Sequence, residues 1–352
     1  MREKNPFVFG KVVRGSNFCN RNDEIEKIHG IIQSKNNLVI ISPRRYGKTS
    51  LVINALEGKK IPFVFIDCFS ISTEELLLER LTLSYLEKLQ KGDILEKLKY
   101  LAKTLDMEYT FSAEGVSIKV KKYNDVSLDK LLKEITKEHV LVFDEFQELF
   151  AVNSDLVKRL RSIMQFIQQS FIFLGSRKHL LLFLFSDQKS PFYNFASIMN
   201  LLKIPPKEWT VFIKKKTEKT GVLFEQEDID AILSSAEEIP FYVQYLAYHF
   251  WEERERDGKN SANEIMNKII KSNTYVYEEL YNRLSLSQRK ALKIIAMEQE
   301  KLFSEAVIRQ YNMKSSQLLN KALNALEEKG MLDKNGTYQF NDPLFKIFVR
   351  MV

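Results

Sequence analysis

The sequence predicts an α/β chain: a central parallel sheet, then a helical lid, then a small domain of three helices and a hairpin. Three observations carry this. Short apolar, β-branched runs alternate with helical patterns over 1–215, the rhythm of a parallel sheet covered by helices on both faces. From 224 to 271 no strand pattern appears, so 216–275 reads as helical. The remainder, 276–352, holds three helix patterns and one alternating stretch around a turn dipeptide.

Composition bounds the function. The chain has 352 residues, 53 Lys+Arg against 46 Asp+Glu, 45% hydrophobic residues, 12 Gly and 8 Pro. That is enough apolar surface for two or three domain cores and excludes a disordered or fibrous chain. The longest apolar run, Leu180-Leu-Leu-Phe-Leu-Phe185, is far short of the ~18–20 residues of a membrane helix, so no membrane partner is expected. The start of the sequence lacks a signal-type apolar region, and the two cysteines, Cys19 and Cys68, form no framework, which together lead us to expect a cytoplasmic setting. His29, His139, His179 and His249 are scattered, with no spacing for a zinc site. A net charge of +7 permits nucleic acid as a partner without implying it.

Taken in order, Asn37-Leu-Val-Ile-Ile-Ser42 reads as a buried strand and 47–56 as the helix after it. Pro62-Phe-Val-Phe-Ile-Asp67, Val140-Leu-Val-Phe-Asp144 and Phe171-Ile-Phe-Leu-Gly175 are further strands. One insertion breaks the rhythm: 107–111 and 116–122 flank Ser112-Ala-Glu-Gly115 and read as a hairpin. In the lid, 229–233 and 242–251 have helical periodicity, and the charged stretch 251–259 reads as a solvated helix end. The helix patterns 288–297, 305–311 and 315–329 precede 330–340, which alternates around Asn335-Gly336, a strong hairpin signal. Three helices and a hairpin suggest a winged helix.

Ser42-Pro-Arg-Arg-Tyr-Gly-Lys-Thr49 matches the phosphate-loop pattern G-x-x-x-x-G-K-[ST], with Ser42 in place of the first glycine. Backbone N–H groups of such a loop and the N-terminus of the following helix form a positive concavity for phosphate, and Gly47 lets the main chain approach closely. Lys48 would neutralise the β- and γ-phosphates while the Thr49 hydroxyl ligates Mg²⁺. Downstream, the strand 140–144 ends in Asp144-Glu145. Asp144 would hold the Mg²⁺ shell and Glu145 would orient or deprotonate the attacking water; alternatively the acidic pair simply begins a helix. The two motifs together read as a P-loop NTPase. Arg44 and Arg45 would face nucleotide phosphate, a neighbouring subunit or solvent. Asp67-Cys68 would either join the outer Mg²⁺ shell or begin a loop.

These residues resemble the P-loop ATPases of the AAA+/STAND superfamily, in particular the archaeal-type ATPase family. Phe18-Cys-Asn-Arg-Asn-Asp-Glu24 is similar to the family's N-terminal element, which implies that Asn20 and Arg21 lie beside adenine. Pro43-Arg-Arg-Tyr-Gly-Lys-Thr-Ser50 is similar to its phosphate loop and Phe143-Asp-Glu-Phe-Gln-Glu-Leu149 to its acidic strand. Phe173-Leu-Gly-Ser-Arg-Lys-His-Leu180 with Ser190-Pro-Phe-Tyr193 resembles its sensor strand and following loop, and Ile239-Pro-Phe-Tyr-Val-Gln244 its lid motif. The resemblance implies ATP and Mg²⁺ as cofactors, with residues 42–50, Asn20, Arg21, Ser176 and Pro240 around the nucleotide. Ser176 is equally readable as a helix N-cap, and Pro240 as a plain helix-start proline. The sequence departs from the pattern at two places. Asn194-Phe195 stands where many relatives have Gly-Arg, whose arginine would stabilise γ-phosphate charge; Arg177 reads equally as a substitute for that charge or as a surface arginine. Glu238 stands where many relatives have glycine.

The helix 315–329, the element of a winged helix that can enter a major groove, carries two lysines against two glutamates, and 278–352 holds 12 basic and 9 acidic residues. That is a weak footprint for DNA. The apolar Leu318, Leu319, Ala322, Leu323 and Leu326 account for this helix as a core element. The expected function is a slow, Mg²⁺-dependent ATPase acting as a conformational switch. Protein contact or self-association ranks ahead of DNA, and the alternative is a nucleotide-dependent DNA-binding regulator or loader with little hydrolysis.

Overall fold

The computed structural model describes residues 4–90, 92–112, 115–121, 124–256, 258, 260–298 and 301–352. The chain divides into two compact units, one of residues 21–42 and 47–202, the other of the residues up to Asn20, Pro43–Tyr46 and Lys203–Val352.

The first unit is built on five parallel strands: β1 Leu38–Ile41, β2 Phe63–Asp67, β5 Val140–Asp144, β6 Phe171–Gly175 and β7 Ser197–Asn200. Their order is β2-β5-β6-β1-β7. β1 and β6 are buried along their whole length, which is why both read as unbroken apolar runs. β7 escaped the sequence reading because it is a four-residue edge strand with only Met199 buried. β3 Met107–Ser112 and β4 Gly115–Val120 form the expected antiparallel hairpin; its turn, Ala113-Glu114, and the end at Lys122 lie outside the described residues. Helix Glu74–Leu86 packs on this hairpin, capped by Thr73 through the Leu76 N–H at 3.2 Å.

One face of the sheet holds an aromatic cluster. Phe146 and Phe173 approach to 4.6 Å between ring centroids, with Phe185 and Phe192 tilted or edge-on against them. All are buried, and each such ring stabilises by about 1.5–3 kcal/mol through area removed from water. This packing fixes β5 and β6 side by side, and so fixes the residues at their C-terminal ends.

The second unit begins its regular helices with Pro206–Glu218, Gln226–Ala236, Pro240–Arg256 and Ala262–Asn282. The expected solvated end at 251–259 is only partly so. Trp251 is buried and donates to the Thr220 hydroxyl at 2.9 Å, and Arg254 pairs with the buried Asp228 at 2.5 Å. A charged residue on a helix end was sequestered by a buried carboxylate from a neighbouring helix, which local sequence does not reveal; Asp257 and Lys259 lie outside the described residues. Next come helices Leu286–Met297, Glu305–Gln310 and Ser316–Glu328 and the hairpin of β8 Leu332–Asn335 and β9 Thr337–Phe340. A last helix, Pro343–Met351, was not foreseen. Asp342 caps it, accepting from the N–H groups of Leu344 and Phe345 at 2.9 and 3.0 Å, and Asp-Pro at a helix start was the available signal. Among the described residues no helix is long and apolar enough to cross a membrane.

Candidate functional site

The parallel order places β6 between β1 and β5, so the C-terminal ends of the three strands form one edge. From β1 the chain passes through the loop into helix Lys48–Gly58, with Gly47 at φ 86°, a left-handed conformation that glycine adopts without a Cβ penalty. Ser42, by contrast, is not among the residues with positive φ. A serine therefore fits the first position of the loop without backbone strain.

Lys48 is buried, and its Nζ donates to the Ser42 carbonyl at 3.1 Å. The ammonium is thus turned back toward the end of β1. The Thr49 hydroxyl donates to Asp144 Oδ2 at 2.5 Å, and Asp144 Oδ1 accepts from the Glu145 N–H at 2.9 Å. Burial raises the Asp144 carboxyl above its ordinary value, outweighing the hydrogen bond from Thr49 that lowers it. Thr49 and Asp144 thus present two hard oxygen donors side by side, a set that fits Mg²⁺, which keeps water and phosphate oxygens as its remaining ligands. Among the described residues no group of three or more His, Cys, Asp or Glu could hold a metal alone.

Glu145 follows directly, held at φ 48°, a conformation uncommon outside glycine and asparagine. Its Oε2 accepts from the Ser176 hydroxyl at 2.8 Å, the Ser176 N–H at 3.3 Å and Gln147 Nε2 at 2.6 Å. Arg177, the next residue after Ser176, pairs with Glu148 at 3.4 Å. Asp67 is level with Asp144 in the sheet register. Its carboxylate accepts from the Phe69 N–H at 2.9 Å, making the turn that begins a loop. Cys68 is buried, which pushes its thiol well above the ordinary value, with the charge of Asp67 adding to the effect.

A family model described as a probable winged helix domain matches residues 275–351. Among solved structures, the Walker-type ATPase PABY2304 of Pyrococcus abyssi is similar over 98% of this chain and 99% of its own, at 20% identity and a TM-score of 0.69. The chain has the P-loop ATPase fold, ending in a winged helix. The Aeropyrum pernix ORC1 protein, solved in complex with DNA, covers 95% of this chain and 93% of its own at 12% identity and a TM-score of 0.52. The Aeropyrum pernix ORC2 protein, solved as ADPNP-ADP complexes, covers 99% and 98% at 15% identity and a TM-score of 0.51. No curated protein matches the sequence.

Within this P-loop ATPase fold the departure at Phe195 acquires a different meaning. Phe195 precedes β7, and its carbonyl accepts from Asn37 Nδ2 at 3.1 Å, just before β1 starts. It lies at the N-terminal end of the sheet, whereas the loop follows the C-terminal end of β1, roughly four residues or ~13 Å along the strand. An arginine there would start from the opposite end of the sheet to Asp144 and Ser176. Phe195 instead packs against Phe192 and carries the Arg161 guanidinium on its face, 4.2 Å from the ring centre. Arg177 follows the C-terminal end of β6.

Of the N-terminal element, Asn20 and Arg21 both have left-handed backbones, at φ 48° and 80°. Arg21 is buried, donating to Glu24 at 2.8 Å and to the Leu202 carbonyl at 2.6 Å, a bracing role within the first unit. Ser50 is buried in the first turn of its helix.

In the second unit, Pro43 is half-buried, Arg44 is exposed and Tyr46 is buried. Burial, reinforced by the charges of Asp333, Glu237 and Glu238, pushes the Tyr46 hydroxyl up to about 12. Arg45, expected to face phosphate, a neighbouring subunit or solvent, is 43% exposed; its guanidinium lies 3.6 Å from Asp342 and over the rings of Phe241 and Tyr242 at 5.1 and 4.9 Å, while its carbonyl accepts from the Phe241 N–H at 3.3 Å. That partner set, drawn from helix Pro240–Arg256 and the winged helix, was invisible in the sequence. Pro240 is the first residue of helix Pro240–Arg256, where its fixed φ is favourable. Glu238 is at φ 60°, so a glycine at this position would relieve left-handed strain.

Proposed function

We propose that the protein binds ATP with Mg²⁺ and hydrolyses it slowly, as a conformational switch. The observation that carries this reading is the convergence, on one edge of the sheet, of Lys48, Thr49, Asp144, Glu145 and Ser176 from three neighbouring strands. Each has the chemistry its place requires. Lys48 turns from the Ser42 carbonyl to the β- and γ-phosphates, and Thr49 and Asp144 are the residues that would hold Mg²⁺, which supplies charge neutralisation between the phosphates. Glu145, with one carboxylate oxygen fixed, orients the attacking water or takes its proton, and Ser176 beside it senses the same water. Catalysis of this kind rests on positioning and electrostatics, and the pairing of Arg177 with Glu148 leaves it less charge to offer, in keeping with a slow rate.

A second reading, a nucleotide-dependent DNA-binding regulator or loader, has one supporting observation. Helix Ser316–Glu328 presents Gln317, Asn320, Lys321 and Asn324 along a surface hollow, and amide side chains can read base edges. The same hollow includes Glu328 and one lysine, a poor match to phosphate. ATP turnover measured with and without duplex DNA, over a range of protein concentrations, separates the readings. Basal turnover insensitive to DNA supports the switch; turnover or nucleotide affinity that depends on DNA supports the alternative.

A further inference from the structure

The residue that fixes Glu145 is Gln147, which lies in the segment Phe143–Leu149 but was given no role from the sequence. It sits in the turn after β5, and its side chain is 2% exposed. Its amide nitrogen donates to Glu145 Oε2 at 2.6 Å and to Glu148 Oε1 at 3.4 Å. Two carboxylates can only accept, so the amide orientation is determined: nitrogen toward the acids, oxygen away from them. The oxygen then lies in a buried place without any hydrogen-bond partner. A buried acceptor left unsatisfied is costly and calls for an explanation.

Gly175 shows how closely this amide is seated. A Cβ at that position would come within 2.1 Å of Gln147 Oε1 and 2.5 Å of Leu181 Cδ1. The last residue of β6 has no side chain because the glutamine amide occupies that space. Ser176, next along, donates twice to the same carboxylate oxygen that Gln147 holds. Three donors therefore converge on Oε2, and among the described residues none donates to Oε1.

We infer that Gln147, seated over Gly175, is a positioning residue that fixes Glu145 with Oε2 tied to the protein and Oε1 left to face water. The inference rests on the ATPase reading and deepens it. An apolar side chain of the same length would fill the space without the orphaned oxygen; what it would not supply is the donor that sets the orientation of the carboxylate. Misplacing a positioned base by about 1 Å costs rate on the scale of 10²-fold, and with Ser176 still in place the loss from Gln147 alone is smaller.

The test uses full-length protein with ATP and Mg²⁺, measuring steady-state turnover and nucleotide affinity. Gln147→Met, unbranched and of matching length, is expected to lower kcat roughly tenfold while leaving KM and ADP affinity within about twofold. Gln147→Glu, which places a third carboxylate against Glu145 and Glu148, is expected to lower kcat further. In a Glu145→Gln background, Gln147→Met should add no further loss, because the group it positions is gone. Melting temperatures of all variants identify any that fail to fold, and the two Gln147 variants back each other up on this point. An unchanged kcat in Gln147→Met, or an equal drop in the Glu145→Gln background, overturns the inference while leaving the ATPase reading intact. Wild-type protein that binds nucleotide without turning it over overturns both.

Discussion

Replacing Arg254 by Met should destabilise the second unit by about 4 kcal/mol or more, and the structure shows where that figure comes from. Asp228 is fully buried, and Arg254 reaches it through two nitrogens, Nε to Oδ2 at 3.1 Å and a terminal nitrogen to Oδ1 at 2.5 Å. Removing the guanidinium strands a buried carboxylate whose other contact is the Glu225 N–H at 3.2 Å, a situation that costs about 3–5 kcal/mol. The remaining guanidinium nitrogen also holds the Gly258 and Asn260 carbonyls at 3.0 and 2.6 Å, adding about 0.5–1.5 kcal/mol for each bond in a partly exposed setting. Methionine retains most of the packing of the arginine stem, so the loss falls mainly on charge and hydrogen bonding. Asp228→Asn keeps an oxygen for the Glu225 N–H and leaves an arginine that is 15% exposed and still bonded to the Gly258 and Asn260 carbonyls, so it should cost less. The double variant should then recover about 2 kcal/mol relative to the sum of the singles. Both tryptophans, Trp209 and Trp251, belong to the same unit as the pair, so urea unfolding followed by tryptophan fluorescence reports on the affected unit. A loss below 1 kcal/mol for Arg254→Met, or strict additivity in the cycle, would refute the reasoning.

Two further outcomes are expected. Burial works to raise the Glu134 carboxyl, but the hydrogen bonds from Lys137 and Lys97 outweigh it and leave it lowered, so its stabilisation is present above the ordinary carboxylate range and lost as pH falls through it. Glu134→Gln should therefore cost about 1 kcal/mol at pH 7, with the gap to wild type closing below about pH 4; urea midpoints at both pH values check this, and a gap that persists in acid refutes the assignment. Glu145→Gln should retain ATP while slowing hydrolysis by roughly 10²-fold or more, and equal turnover in single-turnover assays would remove Glu145 from the mechanism.

The strands of the sheet were legible as residues because burial on both faces demands continuous apolar runs, and β1, β5 and β6 are such runs. Their order was not, since pairing joins segments far apart in the chain; yet that order is what sets Ser176 between Thr49 and Glu145. β7 was missed for the opposite reason, an edge strand with a single buried side chain. Lys48, Thr49, Asp144 and Glu145 stood out in the sequence because the chemistry proposed for them falls in recognisable motifs, and the structure brings Thr49 and Asp144 to 2.5 Å. Gln147 was given no such role, and only a glycine closing a strand, at Gly175, hinted that something approaches closely there. The Arg45 contacts were illegible because Asp342 and Phe241 come from distant parts of the sequence. The place of Phe195, just before β7, was illegible because the sequence does not show which end of a sheet a residue occupies.

The central claim is that the loop after β1 holds nucleotide phosphate through Lys48. Titration calorimetry of wild-type protein and Lys48→Ala with ATP and Mg²⁺ tests it most directly, with melting temperature as the control for folding. The account predicts a defined ATP isotherm for the wild type and an affinity at least about tenfold weaker in the variant, because the lysine's charge meets the β- and γ-phosphates. Equal affinity in the two folded proteins, or no ATP binding by the wild type, would contradict it.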